Sequence, residues 1–131
     1  MITLKYGGMG LRIIPIMLWI AACTSMLSIP ENLSPAELIQ KGQEASDRNK
    51  YKQSLQYYEA IIERYPSYID EVCAAEYEIA FIHYKQKHYE LAKSEFQTLL
   101  SRYDTADAEL LPQQFKKLSE IVLAKIVAKE R

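Results

Sequence analysis

Few side chains in this 131-residue chain are of the types that catalysis or metal binding requires. Cysteine occurs at Cys23 and Cys73, and histidine at His83 and His88. One disulfide is arithmetically possible, but Cys73 begins a helical apolar stretch, which is typical of a small buried residue. The two histidines are five positions apart and point to different sides of a helix, which argues against a shared metal ion. We interpret His83 as a partly packed groove residue and His88 as a turn residue.

Motifs of common enzyme classes are also missing from the sequence. It contains no glycine-rich phosphate loop, no Cys-x-x-Cys, no Gly-x-Ser-x-Gly and no His-Glu-x-x-His. Its carboxylates have no visible partner that would tune them for acid–base chemistry. The formal net charge of -1, without a basic run, argues against nucleic acid as a partner. We therefore expect a protein that is not an enzyme, with no cofactor, no metal and no small-molecule substrate.

The N-terminus has the features of an export signal. Its first 22 residues contain no Asp or Glu, and Lys5 and Arg12 precede the apolar run at 13–22. Ten residues of helix span about 15 Å, half of the roughly 30 Å hydrocarbon core of a bilayer, so this run is too short to cross a membrane. A basic start, a short apolar middle and small residues at the end indicate a secretory signal peptide.

The end of that segment, Ile-Ala-Ala-Cys at 20–23, resembles the lipobox of bacterial lipoproteins. In that family the cysteine thiol receives a diacylglyceryl group and the chain is cut before it. The resemblance implies a signal peptide at 1–22, lipidation of Cys23 and a lipidated tether at 23–33. Several acyl chains, at about 0.8 kcal/mol per buried methylene, hold a protein on a membrane without crossing it.

Other interpretations of the N-terminus stay open. An ordinary signal cleavage near Ala22 would leave Cys23 incidental, and Met9 is an alternative start. The residue after Cys23 is not Asp, so the inner-membrane retention signal of enteric bacteria is absent. We expect a lipid-anchored protein on the periplasmic side of the outer membrane, with the inner membrane less favoured.

Residues 34–131 are expected to form one all-α domain. Ser-Pro-Ala-Glu at 34–37 combines an N-cap, a proline at the first helical position and a capping box. Apolar residues recur at helical spacing through five segments, and no segment has the alternation of a strand. The predicted helices run from about 35 to 48, 50 to 65, 69 to 86, 89 to 103, and 108 to 129. The last has Leu111, Phe115, Leu118, Val122 and Ile126 along one side.

The second and fourth segments repeat one another at an offset of 38 residues. Residues 51–66 align on 89–104, so that Tyr51 meets Tyr89, Ser54 meets Ala92, and Tyr58 meets Phe96. A helix-pair period in the thirties indicates a stack of helical hairpins, in which neighbouring pairs bury each other's apolar faces.

These residues resemble tetratricopeptide repeats. Small residues at Gly42, Ser54, Ala80 and Ala92 fall where that family brings paired helices close together. The resemblance implies two repeats, at 35–104, and a C-terminal capping helix. Three residues depart from the family pattern: Ile61, Leu99 and Asp104. A generic five-helix bundle is the alternative. Together with the lipobox, the long first repeat and Glu-Arg-Tyr-Pro at 63–66 resemble the BamD family of outer-membrane β-barrel assembly, which has more repeats.

The tetratricopeptide resemblance also implies a binding surface. The first helix of each pair would line a concave side, which would show Ile39, Gln43, Ser46 and Asp47, and then Tyr77, Phe81, Tyr84 and Lys85. Tyr77, Phe81 and Tyr84 follow i, i+4, i+7 and share one stripe. Either the fifth helix covers this stripe as core, or part of it stays open as a groove for a partner peptide or helix.

The function expected from this resemblance is a scaffold for assembling membrane β-barrel proteins, with other envelope proteins as partners. Alternatives are a lipoprotein that localises another envelope machine, such as a pilus secretin or a cell-wall complex, and an accessory subunit that recruits a cell-wall enzyme.

Overall fold

The helical spacing of the sequence is realised as five α-helices in residues 28–130, the part of the chain that the computed structural model describes. They are α1 (Pro35–Asp47), α2 (Tyr51–Arg64), α3 (Ile69–Lys85), α4 (Tyr89–Ser101) and α5 (Gln113–Lys129), with short 3₁₀ turns at Arg102–Asp104 and Ala108–Leu110. No strand occurs among these residues. The predicted signal peptide and Cys23 lie outside the described residues.

The start of α1 forms the capping box that the sequence predicts. The backbone N–H of Glu37 donates to Ser34 Oγ at 3.3 Å, and the backbone N–H of Ser34 donates to Glu37 Oε2 at 2.8 Å. The backbone N–H of Ser34 and its hydroxyl, which donates to Glu37 Oε2 at 2.7 Å, lower the pKa of the Glu37 carboxyl. Two backbone donors that the first helical turn would leave unpaired are thereby satisfied.

Two turns of the same construction close the hairpins α1–α2 and α3–α4. Asn49 and Lys87, 38 positions apart, adopt left-handed φ angles of 57° and 66°. Around each of them, one backbone N–H donates to the carbonyl three residues earlier, and the next N–H donates to the carbonyl five residues earlier. Asn49 and Lys50 donate to the carbonyls of Ser46 and Ala45, and Lys87 and His88 donate to those of Tyr84 and His83. The repeat found in the sequence is therefore present as a repeated set of hydrogen bonds, of the Schellman type.

Small residues let α1 and α2 approach closely, as predicted. Ser54 Oγ donates to the carbonyl of Gly42 at 2.7 Å, and the fully buried ring of Tyr58 lies directly against Gly42. In the second hairpin Ala80, Ala92 and Phe96 are likewise fully buried.

The hairpins stack in chain order, with α3 against α2 and α5 against α4 and α3. One core lies between α1, α2 and α3 and includes Leu38, Ile61 and Ile82; the other, between α3, α4 and α5, includes Leu99 and Ile126. The all-α class, built from stacked antiparallel helix pairs and a last helix, is confirmed. Cys73 is buried in the second core, as predicted, and burial raises the pKa of its thiol.

The last helix differs from the prediction in its start and its phase. It begins at Gln113 rather than Ala108, because a proline disfavours helical backbone in the residue before it, and Leu111 before Pro112 is extended (ψ 151°). Its inward stripe holds Ser119, Val122 and Ile126, whereas Leu118 is 40% exposed. Leu118, which the sequence pattern groups with Val122 and Ile126 on one side, therefore lies outside the buried stripe.

The end of the predicted tether is bound to the helical domain. Arg64 donates from Nη1 to the carbonyl of Pro30 at 2.9 Å and from Nη2 to that of Ile29 at 3.2 Å. The Tyr65 hydroxyl donates to the carbonyl of Leu33 at 2.7 Å. The side chains of Ile29 and Leu33 pack against the first core. The docked structure thus begins at about residue 29 rather than at 34.

Candidate functional site

The predicted aromatic stripe of α3 forms a continuous row of rings. Tyr77 stacks on Phe81 with ring centroids 5.8 Å apart and planes inclined by 12°, and Phe81 stacks on Tyr84 at 5.8 Å and 23°. Tyr84 continues the row to Tyr89 on α4 at 5.8 Å. Offset contacts of this kind between aromatic rings add stability beyond the area that they bury.

Tyr77 belongs to the core, while the rest of the row is half-buried. Only 8% of Tyr77 is exposed, since its ring lies between Phe96 of α4 and Phe115 of α5, each at a centroid distance of 5.7 Å. Burial, reinforced by the nearby Glu78 carboxylate, raises the pKa of the Tyr77 hydroxyl. The interpretation that α5 covers the stripe therefore holds at Tyr77, and Phe81 and Tyr84 remain partly accessible.

Lys85 bridges the far end of the concave side. Its Nζ donates to Ser46 Oγ on α1 at 2.7 Å and lies 5.1 Å from the ring centroid of Tyr51 and 5.3 Å from that of Phe81. A lysine ammonium this close to two ring faces is held by cation–π attraction. The structure thus brings Lys85, Ser46 and Phe81 together, and this contact spans the gap between α1 and α3.

At the opposite end of the same surface lies an open cleft of about 330 Å³. Apolar atoms dominate its walls, with Ile39 from α1, Ala74 from α3 and Phe115 from α5. Asp70 and Glu71, in the first turn of α3, are also part of the lining. The predicted residue Gln43 is exposed one helical turn beyond Ile39 on the same stripe of α1.

The sequence pattern did not predict the α5 side of this surface. Gln114 lines the cleft, and Leu118 and Ile121 follow it at i+4 and i+7, on the same stripe of the helix. Leu118 is 40% exposed and Ile121 is 43% exposed. The sequence of α5 alone did not identify this pair, because apolar residues occur on several sides of the helix. We call the cleft together with Leu118 and Ile121 the concave apolar surface.

His83 is partly packed, as predicted, but it lies outside the concave apolar surface. Its Nδ1 lies 2.7 Å from Glu95 Oε2 on α4, and its ring centroid is 6.2 Å from that of His88. On the same outward face of α3, Arg102 forms a two-pronged ion pair with Glu76, at 2.8 Å from Nε and 2.6 Å from Nη2. Within residues 28–130, no group of three or more His, Cys, Asp or Glu side chains is arranged to hold a metal ion.

Comparison with known proteins identifies a relative of this chain. The chain is 32% identical over 98 residues to an uncharacterized protein of Treponema pallidum (strain Nichols). The match covers 75% of this chain but only 39% of that protein, so the chain spans about two fifths of its length. No family model and no solved structure matches the chain. Among the helices of residues 28–130, none has the length and apolar character that crossing a bilayer requires.

Proposed function

We propose that the protein is a lipid-anchored, non-catalytic adaptor whose concave apolar surface binds a partner in outer-membrane β-barrel assembly. The observation that carries this proposal is the exposure of Leu118 and Ile121 beside an apolar cleft, in a chain whose N-terminus resembles a lipoprotein signal. Contiguous exposed apolar residues on a soluble domain mark interaction sites.

The shape and charge of the surface indicate the kind of segment that it binds. Parallel stripes on α1, α3 and α5 suit an amphipathic helix or an extended peptide, whose apolar side chains at i, i+3, i+4 and i+7 would enter between them. Asp70 and Glu71 place negative charge beside the cleft. A partner segment with an apolar face and a basic residue at one end therefore fits best. The lipid anchor would raise the effective concentration of both partners at the membrane.

Photocrosslinking in intact cells tests this proposal. A photoreactive phenylalanine analogue replaces Leu118 or Ile39 in one set of strains, and Leu91 in the control. Leu91 is 47% exposed on α4, outside the concave apolar surface. We expect Leu118 and Ile39 to crosslink one partner that Leu91 does not, and that partner to be a component of the β-barrel insertion machinery. A secretin or a cell-wall enzyme at the same positions would select the alternative functions.

A matched pair of substitutions separates binding from folding. Leu118→Glu adds a charge to the proposed surface, whereas Leu91→Glu makes the same change at a site of similar exposure elsewhere. Capture of the crosslinked partner should fall severalfold for Leu118→Glu alone, with the same thermal midpoint in both variants. Equal capture by both variants would contradict the assigned surface.

The anchor is tested separately. Mass spectrometry of the mature N-terminal peptide should find the acyl groups on Cys23, and Cys23→Ala should release the protein from membranes. An unmodified Cys23 in a protein cleaved elsewhere would refute the anchor and would leave the proposal for the concave apolar surface unaffected.

A further inference from the structure

The docked tether determines which end of the helical stack lies near the lipid anchor. This inference rests on the proposed acylation of Cys23. The Arg64 guanidinium and the Tyr65 hydroxyl hold the backbone of residues 29, 30 and 33 against the C-terminal end of α2. The chain therefore leaves the domain beside the loop between α2 and α3, which we call the α2–α3 corner (residues 64–69).

The length of chain between the corner and the anchor is short. Six residue steps separate Cys23 from Ile29, and an extended chain covers at most about 3.6 Å per step, or about 22 Å in total. The 17-residue helix α3 runs from this corner to the opposite end of the stack, a length of about 25 Å at 1.5 Å per residue. Ile29, which is docked at the corner, therefore lies within about 22 Å of an anchored Cys23, whereas the end that carries Lys85 is up to a helix length further away.

The corner also has the side chain that suits a bilayer surface. Tyr68 is 51% exposed and rests edge-on against Tyr65, with centroids 5.7 Å apart and planes at 78°. Tyrosine is enriched where its ring meets the lipid headgroups. Glu31 and Glu63 lie beside Arg64 and leave this corner without a positive charge excess. Attraction to anionic lipids thus contributes little, and the short connection to the anchor is what brings the corner to the surface.

We propose that the α2–α3 corner faces the membrane and that Tyr68 contacts the lipid headgroups when Cys23 is acylated. The acylated full-length protein, placed in vesicles of phosphatidylethanolamine and phosphatidylglycerol, tests this orientation. Trp19 is the only tryptophan in the sequence and belongs to the predicted signal peptide, so the mature chain is free of tryptophan and accepts a single probe. The probes are Tyr68→Trp at the corner and Leu91→Trp at a site of similar exposure near the start of α4.

Quenching by a lipid that carries a nitroxide just below the headgroup measures the distance of each probe from the bilayer. We expect the Tyr68→Trp emission to be quenched severalfold more strongly than that of Leu91→Trp. Adding Arg64→Ala, which removes two of the three tether hydrogen bonds, should reduce the quenching at position 68. Arg48→Ala, at the opposite end of the stack, should not.

The outcomes separate the orientation from the anchor on which it rests. Equal quenching of the two probes in acylated protein, or quenching that Arg64→Ala leaves unchanged, would overturn the orientation while the anchor stands. An N-terminal peptide whose Cys23 carries no acyl group would overturn both. A Cys23→Ser protein made without residues 1–22, and therefore without both Trp19 and the acyl groups, should show no quenching of either probe. Strong quenching of its Tyr68→Trp form would mean that the corner binds lipid without the anchor.

Discussion

Gly42→Ala tests whether the close approach of α1 and α2 holds the first hairpin in place. A Cβ atom at this position would lie 2.6 Å from Tyr58 Cε1 and 2.7 Å from Cζ, inside the range that real Cβ atoms avoid. The Tyr58 ring is fully buried. One of the two helices must therefore shift, or the ring must leave its position.

Two opposing effects determine the size of the change. Alanine is better than glycine in a helix by up to about 1 kcal/mol. Overpacking a dense core by one carbon costs about 1–3 kcal/mol. Together, the two effects should lower the free energy of unfolding by up to about 2 kcal/mol. For a domain of this size each 1 kcal/mol corresponds to about 4–8 °C in the thermal midpoint.

Urea unfolding of four proteins measures this effect. They are the wild type, Gly42→Ala, Tyr58→Leu and the double variant. In the Tyr58→Leu background the ring is gone, so Gly42→Ala should recover its helix gain and stabilise the protein by up to about 1 kcal/mol. Gln43→Ala, an exposed neighbour on the same helix, should change stability little. If Gly42→Ala stabilises the wild type by the same amount as the Tyr58→Leu variant, the close approach does not limit the packing and our reasoning is wrong.

Three further predictions concern ionisable side chains. Arg102→Gln should lower the free energy of unfolding by about 1 kcal/mol, by breaking the two-pronged pair with the partly exposed Glu76, and added salt should shrink the difference from wild type. Burial raises the pKa of the Glu78 carboxyl, so the contribution of this group to stability falls as pH rises from 4.5 through that raised value. Glu78→Gln should therefore be more stable than wild type near pH 7 and lose this advantage below about pH 4 in denaturant titrations. Burial also raises the pKa of Tyr103 to about 12, and its hydroxyl donates to the partly buried carbonyl of Pro112 at 2.9 Å. Tyr103→Phe should lose about 1 kcal/mol at neutral pH, yet its stability should decline less steeply than that of wild type between about pH 10 and pH 12.

The local parts of the fold could be predicted from the sequence because they depend on local rules. The capping residues Ser34 and Glu37 lie three positions apart, and their hydrogen bonds form as the pattern predicts. Helical spacing located all five helices, and the offset of 38 residues predicted the matching hairpins. The aromatic stripe of α3 also followed from spacing alone, since i, i+4 and i+7 share one face.

The phase of α5 could not be predicted, because apolar residues occur on several of its sides. Spacing alone allows either Leu118 or Ser119 to face inward. The small Ser119 lets α5 lie close to its neighbours, and it is fully buried, whereas Leu118 remains on the concave apolar surface. The choice depends on the shape of the surface that α3 and α4 present, which one helix's sequence does not contain.

The sequence pattern also could not predict contacts between residues that are far apart along the chain. Arg64 meets the carbonyl of Ile29 across 35 positions, and Arg102 meets Glu76 across 26. Many charged residues alternate on the outer faces, and only the packing of one hairpin on the next determines which pairs come within reach. The docked tether, on which the proposed membrane orientation depends, is therefore a result of the structure alone.

The matched turns at Asn49 and Lys87 have a consequence for how this architecture changes in length. Each turn is closed entirely by carbonyls within its own hairpin, so neither depends on what precedes or follows that hairpin. A 38-residue block can thus be inserted or deleted between turns without altering the register of the hydrogen bonds that close them. Only the residues at the interface between adjacent hairpins must then change, and the stack lengthens or shortens by one complete hairpin at a time.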